Sequence, residues 1–147
     1  MKYIDYHNHP INKLIHFLCI PLIVLTSANF LTKSNLTLFG IGIYRIVLIA
    51  LLSYYFFVYS SLNFILMLTY YSFIDYFCEK WIIRKNWFME SLIVFILSWV
   101  LQFIGHYIEG NRPALMDSIT TAVTEAPLFS IMYLFETLGY IVNHITN

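Results

Sequence analysis

Charge is what this sequence has least of. Only 11% of its 147 residues are Asp, Glu, Lys or Arg, against about a quarter in an ordinary soluble domain. Eight basic residues balance eight acidic ones. No basic field exists to hold nucleic acid, and that class is set aside. Cysteine is nearly absent. Cys19 and Cys78 lie inside apolar runs without metal-ligand spacing, so they read as buried small hydrophobes and not as a disulfide. Five glycines and four prolines leave little punctuation, and there is no low-complexity segment and no clear internal repeat. HExxH, CxxC and GxSxG patterns are missing too. With 60% of residues hydrophobic and a mean hydropathy of +0.73, a soluble globular domain is excluded.

What remains is a series of long apolar runs. The length suggests one domain, 1–147. Residues 14–32 carry no charge and are about long enough to cross a bilayer core of ~30 Å. The polar N-terminus through Asn12 differs from the short basic start of a secretory signal, so this first run is expected to stay as a membrane helix. Pro10 suits its first turn, and Pro21 is expected to bend it. A turn follows at Thr32, Lys33, Ser34 and Asn35. Arg45 is then the only charge before Asp75. A single helix over 46–74 would measure ~43 Å, which is too long. A turn near Tyr59, Ser60 and Ser61 divides it. Glu79, Lys80, Arg84, Lys85 and Asn86 mark a polar loop, with Trp81 and Trp87 as interface anchors.

The expected spans are therefore 14–32, 38–58, 61–78 and 89–107. After Pro113, Asp117 and Ser118 look like a helix start, and Ala126-Pro127 is expected to break that piece. Residues 128–142 are short for a further span. The fold predicted is all-α: an integral membrane bundle of four transmembrane helices plus a C-terminal interfacial or re-entrant helix within 118–143. Positive charge gives little help with orientation, and its count leans against the four-helix arrangement. In this arrangement Lys2, Lys13 and Arg112 fall on one side, and Lys33, Lys80, Arg84 and Lys85 on the other.

Polar chemistry gathers in two clusters. The first runs from Tyr6 through His7, Asn8, His9 and Pro10 to Asn12 and His16. Asn12 and His16 share a helix face at i, i+4, and His7 and His9 alternate in an extended lead-in that points them the same way. In the second, Gln102, His106 and Glu109 lie at i, i+4 and i+7 on one helix face, with Arg112 just beyond. Ionisable rows in membrane helices are costly and mark functional sites. Neutral imidazoles with a carboxylate suit a first-row metal ion that keeps positions open for substrate and oxygen. Blander readings exist for each residue. A lone His at a helix end is commonly a hydrogen-bonded interface group, and Glu109 and Arg112 could form a surface ion pair. His144 reads as idle. Tyr54, Tyr55, Tyr59, Tyr70 and Tyr71 read as packing and belt residues, and Asn63 and Asp75 as cross-helix hydrogen-bonding groups. His16 is harder to dismiss, because it lies ~9 Å into a helix starting at Pro10.

The clusters also form a longer pattern. Tyr-His-x-x-Pro-x-Asn-x-x-x-His, with a Pro five residues later, is met at Tyr6, His7, Pro10, Asn12, His16 and Pro21. Gln-Phe-x-Gly-His, a Glu soon after and then Arg-Pro-Ala-Leu is met at Gln102, Phe103, Gly105, His106, Glu109, Arg112, Pro113, Ala114 and Leu115. Ala-Pro-x-Phe follows at Ala126, Pro127 and Phe129. This combination resembles the membrane-bound 2-hydroxy fatty acid dioxygenases.

The resemblance implies an iron(II) enzyme of fatty acid α-oxidation and sphingolipid metabolism. It would take a 2-hydroxy fatty acid and O₂ and release CO₂ and the one-carbon-shorter acid. The membrane implied is the endoplasmic reticulum in a eukaryote and the inner membrane in a bacterium. By position, His7, His16 and His106 are the implied metal ligands, with His9 as a fourth. Arg112 would meet the substrate carboxylate, and Glu109 or Gln102 would orient an imidazole. For His7 and His16 to meet His106, the number of crossings between them must be even, so four helices fit and three do not. Two other classes stay open: a non-enzymatic membrane scaffold, and a His-ligated haem or quinone electron carrier.

Overall fold

A computed structural model describes residues 7–145, with side chains through 139. Tyr6 and the side chain of His144 lie outside the described part. The described chain is helical apart from one small hairpin. Its elements are α1 (Pro10–Lys33), β1 (Thr37–Leu38), β2 (Ile41–Gly42), α2 (Ile43–Val58), α3 (Ser61–Trp81), α4 (Trp87–Glu109), α5 (Ala114–Asp117) and α6 (Ile119–Ile145). Two compact units emerge, one from residues 1–21 with 99–147 and one from 22–98.

In the unit made of residues 22–98, the core gathers Leu25 and Ala28 of α1, Tyr44 of α2, and Ile74 and Cys78 of α3. Several polar groups here pair across helices. The Asn29 amide donates to Ser91 Oγ at 3.0 Å, and Arg45 meets Asp75 at 3.3 Å. Glu90 closes the α3–α4 loop, accepting from Trp81 Nε1 at 3.0 Å and pairing with Arg84 at 3.1 Å. The turn at 59–61 has a local cause: Ser60 Oγ accepts from the Asn63 N–H and caps α3. Cys19 and Cys78 are both buried and form no disulfide.

The expected span 38–58 loses its first residues. Residues 37–42 form a hairpin instead, with Leu38 paired to Ile41. Its two turn residues, Phe39 and Gly40, both have positive φ, at 53° and 77°. That is the turn geometry which suits the twist of a two-residue hairpin. Glycine alone signalled it, because a bulky aromatic is a poor predictor of left-handed backbone. The shortened α2 has 16 residues, a rise of about 24 Å. The expected break at Ala126-Pro127 is also absent, since α6 runs through Pro127. Residues 126–130 are all buried, and packing around the helix offsets the one backbone hydrogen bond that proline removes. Ser118 rather than Asp117 caps this helix, accepting from the Thr121 N–H at 3.1 Å.

Two helices, α1 and α4, are long and apolar enough to cross a membrane. Both carry polarity on the inside. Asn12, His16, Thr26 and Asn29 of α1 are buried while Ile11, Leu14 and Leu18 are exposed. Ser91, Ser98, Gln102 and His106 of α4 are buried while Ile93, Leu97, Leu101 and Ile104 are exposed.

In the unit made of residues 1–21 and 99–147, α4 packs tightly against Asn12 of α1 at Gly105. A Cβ there would lie 2.2 Å from Asn12 Oδ1 and 3.2 Å from Asn12 Cγ. Asn12 is fully buried and its amide donates to Glu109, so it cannot move aside without breaking a charge-assisted bond. Gly105→Ala gains about 1 kcal/mol of helix propensity. It loses about 1–3 kcal/mol to overpacking and a further ~1.5–3 kcal/mol with the hydrogen bond. The expected outcome is a lower melting temperature in detergent; an unchanged or higher one contradicts this packing.

Candidate metal centre

Each histidine reaches the site by a different route. His16 lies in the second turn of α1, and His106 lies one turn before the end of α4. His7 precedes α1 and has no helix to hold it. The start of α1 is fixed by His9, whose carbonyl accepts from the Lys13 N–H at 3.0 Å. The His9 Nδ1 accepts from the Ile11 N–H at 3.2 Å. His9 is therefore the N-cap, with Pro10 next, where a missing N–H does no harm. The other end of the site closes at Gly110. Its φ of 78° stops α4, and its N–H donates to the His106 carbonyl at 3.0 Å.

Glu109 joins these two ends. Its carboxylate accepts from the Asn8 N–H, from the His9 N–H at 3.2 Å and from the Asn12 side-chain amide. A carboxylate in this position also meets the positive end of the α1 dipole. Its grip on residues 8, 9 and 12 draws the segment carrying His7 onto the end of α4.

The result is a cluster of three rings. His7 and His16 have centroids 4.2 Å apart, His16 and His106 4.7 Å, and His7 and His106 5.0 Å. One nitrogen from each lies within 4.8 Å of the others, and exposures are 0%, 1% and 5% for His7, His16 and His106. The His16 Nδ1 lies 3.0 Å from the Asn12 carbonyl. Donation there fixes the tautomer and leaves Nε2 as the unprotonated ring nitrogen. Three rings this close cannot all be protonated, and the neutral form is the one that binds metal. This donor set fits a first-row transition ion. Phe129 of α6 packs against the His7 ring at 5.2 Å.

The other candidates lie around the cluster or away from it. Gln102 is buried one turn before His106, and its Nε2 has no hydrogen-bond partner among the described residues. Glu109 holds backbone and Asn12 and does not pair with Arg112. Arg112 is 74% exposed and meets Asp117 at 3.5 Å. His9 stays outside the ring cluster, engaged as a cap. Sequence reasoning placed Asn12 on one helix face with His16 but assigned it no role, and assigned none to Gly105 or Phe129. A glycine inside a helix beside the site was the signal available for Gly105.

This geometry sits in a chain with recognisable relatives. The family model described as 2-hydroxy-palmitic acid dioxygenase Mpo1-like matches residues 1–138. The 2-hydroxy-palmitic acid dioxygenase MPO1 of Saccharomyces cerevisiae is 29% identical over 146 residues, covering 92% of this chain and 76% of the yeast protein. No solved structure matches. Since the family match takes in both arms of the ring cluster and nearly the whole chain, this protein belongs to the Mpo1-like family.

Proposed function

We propose that the chain is an iron(II)-dependent dioxygenase that converts a 2-hydroxy fatty acid and O₂ into the one-carbon-shorter acid, CO₂ and water. The observation that carries this reading is the cluster of three buried imidazoles in a member of this family. Iron(II) at His7, His16 and His106 supplies the redox chemistry with O₂ that no side chain offers. The protein's own residues do the rest. The Asn12 carbonyl holds the His16 ring, and Glu109 holds Asn12 and the His7 segment. The unpartnered Gln102 amide is the donor for a substrate oxygen, since a buried donor left unmatched is costly until a ligand meets it. An exposed ion pair is worth at most ~1 kcal/mol, so Arg112 can exchange Asp117 for the substrate carboxylate and bind it at two points. His9 we assign to capping and not to the ion.

The apolar outer faces of α1 and α4 suit a lipid bilayer, which is also where a fatty acid chain resides. We read the molecule as an integral bundle in which α1, α2, α3 and α4 insert. An even number of crossings then keeps His7, His16 and His106 at one face. The short α2 is accommodated by local thinning of the bilayer. Rings 4.2–5.0 Å apart leave no slot for a macrocycle between them, which weighs against a haem carrier. A passive scaffold has no use for three imidazoles in contact.

Purified protein given iron(II), O₂ and 2-hydroxypalmitic acid is expected to yield the fifteen-carbon acid by mass spectrometry; iron-loaded protein that leaves the substrate intact contradicts the reaction. Elemental analysis is expected to find about one metal ion per chain, as one three-imidazole site would hold. That ion should be lost in His7→Ala, His16→Ala and His106→Ala while circular dichroism stays helical. A folded, metal-free wild type supports the scaffold, and a Soret band supports the haem carrier. Glu109→Gln is expected to weaken iron binding about 10–100-fold, as loss of an outer partner does elsewhere; unchanged affinity removes Glu109 from the site. Arg112→Ala is expected to raise KM while kcat stays within about twofold, the signature of lost uniform binding; a fall in kcat alone contradicts the carboxylate role.

A further inference from the structure

His7 is the one ring of the three that stands on irregular backbone before α1, and hydrogen bonds to Glu109 tie down the two residues that follow it. The ring is met from the other side by α6. Phe129 lies 5.2 Å from His7 with planes 37° apart. Behind Phe129, Tyr133 stacks at 6.2 Å with planes 18° apart. Tyr133 in turn contacts Phe17 at 5.6 Å, and Phe17 follows His16 directly on α1. The aromatic chain therefore starts at His7, passes through α6 and returns to α1 beside His16. Phe129 is 4% exposed and sits in the fully buried stretch 126–130. The α6 backbone under it is thus surrounded, and the ring has little freedom to yield.

We propose that Phe129 is a positioning residue for His7, so that packing of α6 sets how tightly the three-imidazole site holds its metal ion. This rests on reading the three rings as one metal centre. Phe129 offers the ion no donor atom. It acts by limiting the orientations of the His7 imidazole before an ion arrives, which lowers the cost of ordering that ring on binding. The two rings on helices need no such help. The effect is therefore specific to His7, and this separates positioning from general support of the core.

The test uses the full chain in detergent and titrates iron(II) under anaerobic conditions. Phe129→Ala is expected to weaken binding about tenfold or more, the size expected when support for a ligand is lost. Phe129→Leu keeps an apolar side chain and is expected to fold, with an intermediate affinity, should the alanine variant fail to fold. Leu128→Ala, one residue away and also buried, at 1% exposure, is the control and is expected to keep wild-type affinity. The decisive comparison is the double variant, titrated at iron(II) concentrations high enough to fill the weak site that His16 and His106 leave behind. Phe129→Ala in a His7→Ala background is expected to cost nothing further, because the ring it positions is gone. An additive loss, or unchanged affinity in Phe129→Leu and Phe129→Ala, overturns the proposal. A metal-free readout separates this from failure of the metal reading: side-chain NMR of labelled histidines in apo protein. The His7 ring is expected to become mobile in the Phe129 variants while His16 and His106 stay ordered. If wild type binds no iron yet His7 is released in this way, the metal reading fails and the positioning role stands. If His7 stays ordered, the positioning role fails.

Discussion

A side chain on irregular backbone can share an ion with side chains on two helices only if that backbone is tied down. Here the tie is the Glu109 carboxylate. It collects two backbone N–H groups at the start of α1 and one side-chain amide from within α1, and it does so from the last residue of α4. The His9 N–H belongs to the unsatisfied set that a helix start presents, and the Asn8 N–H adjoins it, so one anion serves the start of α1 and ties down the segment that carries His7. Asn12 is the second member of the arrangement. Its amide serves Glu109, its carbonyl serves the His16 ring, and Gly105 opposite leaves it room. Removing any of these three disturbs the other two, because they share atoms and not merely a neighbourhood.

The helices carry this cluster on faces whose polarity is opposite to that of a soluble protein. Small and hydrogen-bonding groups lie inward on α1 and α4, and large aliphatic groups lie outward. In the bilayer we propose, with apolar surroundings on both sides, burial of hydrocarbon would do little to hold helices together. Contacts such as Asn29 to Ser91 then do more of that work. An unmatched polar atom does not define a site by itself. Asn29, Tyr44 and Tyr70 each bury one in the unit made of 22–98, as Gln102 does in the other. What distinguishes Gln102 is its place one turn from His106, on the same helix face as a group that converges with two others.

Much of this was legible because the chemistry at the site obeys helix periodicity. Gln102, His106 and Glu109 repeat at helical spacing, and all three turn away from the exposed apolar face. Asn12 and His16 do the same on α1. The turn at 59–61 was legible from the impossible length of a single span, although its cause, the Ser60 cap, was not. The misreadings have physical reasons. Alternation predicted that His7 and His9 point alike, but Pro10 starts a helix at once and His9 is spent capping it. The blander alternative of a Glu109–Arg112 ion pair is not formed either: Gly110 ends the helix between them and Arg112 meets Asp117 instead. Pro127 looked like a break, but packing around residues 126–130 overrides a local preference. The contact of Phe129 with His7 joins residues more than a hundred positions apart, and no local pattern encodes it.

The central claim is that imidazoles from both ends of the chain share one ion. X-ray absorption on the iron-loaded protein tests it most directly, because multiple scattering from imidazole rings counts those bound to the metal. The account predicts three imidazoles per iron and no sulfur. Fewer than three, or a sulfur neighbour from Cys19, contradicts it.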